Sequence, residues 1–165
     1  MATALVATAV AVTAGASATA IASPSAIQCS ARGSLPDLAC TPGELNTQVS
    51  QSNIQQTICT AGYTRTIRPP VSYTDPLKLE LMRSYRLTGA AGAYELDHLV
   101  SLELGGDPRS PKNLWPEAYA PAPGAHEKDR VEGYLHRQVC SGAMPLVDAQ
   151  SKIKGDWTQV LNSIK

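Results

Sequence analysis

The chain reads as a single α+β domain: a β-hairpin backed by one helix, with additional helices around it and disulfides stapling it. Three observations predict this. Tyr94-Glu95-Leu96-Asp97-His98-Leu99-Val100 is a strand-like apolar run that turns at Gly105-Gly106 and returns through Asn113-Leu114-Trp115. Val131, Tyr134, Leu135 and Val139 recur at helical spacing. The chain carries four cysteines, an even count that suits a disulfide framework. Its 165 residues suffice for one domain and a leader.

Taken in order, residues 1–28 contain no charged side chain and are mostly Ala, Val, Thr and Ser, with Ala20-Ile21-Ala22 as a cleavage-type site. Residues 1–22 therefore read as a signal peptide that lacks a basic start, which makes the protein secreted, with no membrane attachment in its mature form. Residues 23–45 carry Pro24, Pro36, Pro42, Gly33 and Gly43 and read as a loosely structured lead-in. The domain proper is expected over 46–165. No cysteines form a Cys-x-x-Cys pair, which argues against a structural zinc. Four cysteines permit three pairings, and sequence alone does not choose among them. We favour Cys59 with Cys140 and Cys29 with Cys40, because the first would tie the start of the domain to the helix after the hairpin.

Ser50 can cap a first helix that Gly62 stops, with Val49 and Ile54 as its hydrophobic staple. Tyr63–Arg68 alternates like a short strand, ended by Pro69-Pro70. Asp75-Pro76 is a cap followed by proline, predicting a second helix to about Arg86. A third helix is expected from about Ala125 to Cys140. Pro145 opens a final one, with Leu146, Ala149, Ile153, Trp157, Val160, Leu161 and Ile164 along one side.

Formal charge balances to zero, which excludes the strongly basic body of a non-specific nucleic-acid binder and makes any phosphate recognition local. The region of positive excess is 62–87, where Arg65, Arg68, Lys78, Arg83 and Arg86 face only Asp75 and Glu80. A solvated surface and a phosphate-contacting patch both fit it.

Asp97-His98 is the pair that packing explains least. A carboxylate can ligate a divalent ion that takes its remaining ligands from water and substrate phosphate. A neutral histidine is the natural base for taking a proton from water. Asn113 can fix the imidazole or a loop carbonyl through its amide. Glu95 shares Asp97's strand face, Trp115 reads as core, and His136 reads as surface on the outer side of the third helix.

Asp97-His98-Leu99, Leu102-Glu103-Leu104-Gly105-Gly106, Asn113-Leu114-Trp115-Pro116-Glu117 and Lys128-Asp129 together resemble the HNH endonucleases, and most closely exported bacterial HNH-like proteins. The resemblance is specific over residues 94–132. It implies a ββα-metal hairpin-plus-helix core and a secreted, metal-dependent endonuclease acting on phosphodiester bonds in DNA, with RNA second. Asp97 would hold the metal, His98 would activate water, and Asn113 would position the histidine or assist the metal. Magnesium is the expected ion, with manganese, nickel and zinc as alternatives. The chain departs from the family at Ala122, where a His or Asn would be expected. His126 and Glu127 are then the candidates for further metal contacts, and Lys128 for stabilising phosphate charge. The rival expectation is a non-catalytic exported binding protein, for nucleic acid or a cell surface, on the same scaffold. Either way a monomer is expected.

Overall fold

A computed structural model describes Met1 and residues 28–164; the signal-peptide expectation for 1–22 lies outside the described residues. The architecture is α+β. Strand β1 (Tyr94–His98) pairs antiparallel with β2 (Leu114–Ala118), Asp97 facing Trp115 and His98 facing Leu114. Among the described residues five α-helices surround this hairpin: α1 (Tyr63–Ile67), α2 (Val71–Ser84), α3 (Ala125–Cys140), α4 (Leu146–Lys154) and α5 (Trp157–Ser163).

Helix α3 is the spine. Val131, Leu135 and Val139, all fully buried, pack with Ile153 and Trp157 of the C-terminal helices and with Val100 and Leu104 of the hairpin loop. Burying this stripe is the main source of stability, each large apolar side chain contributing about 1.5–3 kcal/mol. A smaller cluster of Cys29, Tyr85, Leu99 and Trp115 seats α2 and the 28–45 segment on the other part of the hairpin. Trp115 is core, as its sequence context suggested.

Both disulfides follow the favoured pairing, Cys29–Cys40 and Cys59–Cys140. The second closes a separation of 81 residues and fastens the turn before α1 to the end of α3. The 28–45 segment is anchored by more than its disulfide. Thr41 is buried against the Tyr85 hydroxyl (2.8 Å), and Leu45 bridges to Gly106.

Several local expectations change. Residues 51–56 form a 3-10 turn, closed where Asn53 Oδ1 accepts from the Ser50 N–H at 2.8 Å. Tyr63–Ile67 is helical, not a strand: the backbone leaves Gly62 in the left-handed region (φ 82°) and bonds locally, Arg68 N–H to Thr64 O. Six alternating residues are too few to fix a period without a partner strand. Pro69-Pro70 accordingly starts α2 at Val71, and Pro76 sits inside that helix rather than at its first turn. The final helix divides at Gly155-Asp156, where Asp156 caps α5 by accepting from the Thr158 N–H.

Candidate functional site

The loop between the strands, residues 99–113, is shaped by Asn113. Its buried amide donates to Val100 O (3.0 Å) and Asp107 O (2.9 Å), while its Oδ1 accepts from Val100 N–H (2.9 Å). Gly106 makes that closure possible, since a Cβ there would lie 1.8 Å from the Val100 carbonyl oxygen. Of the two roles open to Asn113, the structure places it on loop carbonyls and backbone, not on the imidazole.

His98 ends β1 and is 7 % exposed. Its Nε2 lies 3.1 Å from the Pro108 carbonyl, in the loop that Asn113 holds. A carbonyl only accepts, so Nε2 carries the proton and Nδ1 keeps its lone pair. Burial lowers the His98 pKa below its ordinary value; the Pro108 carbonyl and Asp97 oppose this, and the charges of Arg68 and of Lys128 on α3 support it. The imidazole is thus neutral at pH 7. It borders a cleft of ≈ 330 Å³ with Arg68, Lys78, Glu95 and Tyr119. Glu95 is shifted the other way, its pKa raised by burial and by the charges of Asp97 and Asp129.

Asp97 meets different partners. Lys128 reaches it from α3, Nζ to Oδ2 at 2.6 Å, and also donates to His98 O (2.9 Å) and to the Glu132 carboxylate. Lys128 is 1 % exposed. Burial alone would lower its pKa, but Asp97, Glu132 and Glu117 together hold it well above the ordinary lysine value. The cage also pushes carboxyls up. Burial raises Glu132 to about 8 against the pull of Lys128. Glu117, 1 % exposed with neither oxygen hydrogen-bonded, is raised by burial and by Asp97 to about 10 and is a neutral acid at pH 7.

The remaining expected site residues lie apart from this cage. Glu127 Oε2 accepts from the Gly124 N–H (2.8 Å) and caps α3. His126 is exposed, its ring stacked on Tyr119 with centroids 4.9 Å apart. Asp97, His126 and Glu127 do not converge as a ligand set, and the oxygen of Asp97 nearest α3 already faces an ammonium. These three residues as placed do not fit a shared divalent ion. Among the described residues the group that could hold a metal ion is Cys59, His136 and Cys140, whose ligand atoms lie within 4.8 Å of one another. With its sulfurs joined in a disulfide it offers only the imidazole, so it would need the reduced thiols. His136 is therefore not a plain surface residue: it is half-buried, with Nε2 2.9 Å from Ile58 O.

Sequence reasoning did not single out Glu117, Glu132 or the Pro108 carbonyl. Glu132 had a usable signal, four residues after Lys128 on one helix face. Glu117 did too, as a carboxyl in an otherwise buried strand on the face of Asp97's cross-strand partner Trp115. Nothing in the sequence marks a proline carbonyl as a histidine acceptor. No family model, curated protein or solved structure matches the chain.

Proposed function

We propose that the chain hydrolyses phosphodiester bonds in nucleic acid, DNA ahead of RNA, with His98 as the base. The observation that carries this is a neutral imidazole, oriented through Nε2 by a backbone carbonyl, on the wall of a cleft that also contains Arg68 and Lys78. In the step, Nδ1 of His98 takes a proton from water, the hydroxide oxygen attacks phosphorus, the bond from phosphorus to the leaving oxygen breaks, and that oxygen takes a proton from solvent while the imidazolium releases its own to solvent. A pre-oriented base of this kind contributes about 100- to 10,000-fold. Asn113 acts indirectly, by holding Asp107 and so the Pro108 carbonyl. Lys128 is a positioning residue, since its ammonium is enclosed by Asp97, Glu132 and the His98 carbonyl and is not free for a phosphate. We read the protein as secreted, supported by two disulfides and the uncharged leader; no helix among the described residues is long and apolar enough to cross a membrane.

Plasmid cleavage by wild type and His98→Ala, each with magnesium or with EDTA, tests the assignment. The expected result is a loss of about 100-fold or more in His98→Ala; equal cleavage by the two proteins would sink it. A second reading is a module that binds nucleic acid without turnover. The Lys128–Asp97 contact favours it, because that contact occupies the carboxylate a divalent ion would use. It predicts binding by wild type with no cleavage under any of these conditions.

A further inference from the structure

We infer that Arg68 is the residue that anchors the substrate phosphate beside His98; this rests on the hydrolase or binding reading above and assigns the contact to one side chain. Two cations line the His98 cleft. Lys78 is already engaged, donating to the Tyr94 carbonyl at 2.6 Å. Arg68 makes no side-chain hydrogen bond or ion pair among the described residues, yet it is close enough for its charge to act on His98 and Asp129. An exposed arginine with its whole donor fork free is suited to a bidentate phosphate contact.

Its backbone is fixed for that purpose. Arg68 closes α1, its N–H bonded to Thr64 O at 3.0 Å, and is followed at once by Pro69, which is buried, and Pro70, which starts α2. The position is rigid while the side chain is free.

Arg68 also borders a second cleft, with Glu103, Asp129 and Glu132 on its walls. That cleft sets three carboxylates against Arg68 alone, whereas the His98 cleft balances Asp75 and Glu95 with Arg68 and Lys78. A nucleic-acid backbone is therefore less disfavoured on the His98 side of the Arg68 guanidinium. This also accounts for a protein of zero net charge recognising phosphate: one unpaired cation at the reacting group takes the place of a basic face.

The experiment is fluorescence anisotropy of labelled duplex and single-stranded DNA over a salt series in EDTA. It compares wild type, Arg68→Gln, Arg68→Lys and Arg83→Gln, the last on α2 and outside the cleft. Removing one charged phosphate contact should weaken binding about tenfold or more. It should also reduce the slope of log K against log salt by about 1. Arg68→Lys should restore the slope, and Arg83→Gln should leave both unchanged. An unchanged slope in Arg68→Gln, an equal loss in Arg83→Gln, or no binding by wild type would overturn the inference. Binding that behaves as expected without plasmid cleavage by wild type would remove the hydrolase reading and leave Arg68 in place.

Discussion

Asp97 and His98 are neighbours on one strand and live in opposite chemical settings. Asp97 faces α3 and is bound to a buried lysine inside a ring of carboxyls. His98 meets a single carbonyl and borders open space with an unpaired arginine. One setting is saturated and the other has capacity left. A buried charge cluster is held together by mutual satisfaction, so it contributes order and is costly to disturb. A base needs a lone pair and access. The difference separates residues that build this site from residues that would react in it.

The two settings should respond differently to substitution. His98→Ala should lose about 100-fold or more of any hydrolysis at a stability cost of about 1–3 kcal/mol, since it truncates a buried ring and removes one carbonyl hydrogen bond; a cost as large as that of Lys128→Met would place His98 among the structural residues instead. Lys128→Met should do the reverse. It leaves Asp97 and Glu132 buried without their cation and should cost about 3–5 kcal/mol in denaturant unfolding. A cost below that of an ordinary surface substitution would mean the cage is not closed.

Asn113→Ala falls between them. It removes three hydrogen bonds from a buried loop and should cost about 1–3 kcal/mol, with hydrolysis reduced further as the Pro108 carbonyl loses its placement; full activity with lowered stability would break the link from Asn113 to His98. Glu117→Gln should act through pH rather than at a single pH. Because the folded-state pKa of Glu117 is raised to about 10 from an unfolded value of 4.5, its neutral form favours the fold below pH 4.5, and that contribution is lost as pH rises toward 10. The glutamine variant should therefore gain melting temperature relative to wild type at pH 9 compared with pH 5. A difference that is the same at both pH values would show that Glu117 does not titrate against the fold.

The hairpin, α3 and the core role of Trp115 were legible because each is written in a local pattern: apolar runs, a period near 3.6, and a Gly-Gly turn. The 63–68 segment was misread for the same reason, since alternation over so few residues does not distinguish a strand from one helical turn. Asp97, His98 and Asn113 could be picked out as unusual, and their proximity followed from the hairpin. Helical spacing from Val131 turned Lys128 and Glu127 toward the hairpin, but the sequence could not supply the partner each would meet. Lys128 looked like a phosphate contact and Glu127 and His126 like metal ligands, because all three sit at the start of α3.

The sequence by itself determined which residues would be near one another, through hydrophobic periodicity and turn chemistry that act over a few residues. Only the tertiary structure decided which of them face each other. The rotation of α3 against β1 turned Lys128 inward to Asp97, left Glu127 capping its own helix and put His126 on Tyr119. That rotation is set by how Val131, Leu135 and Val139 fill the space against the hairpin loop and the C-terminal helices. It is a property of the packed core, which no short stretch of sequence contains.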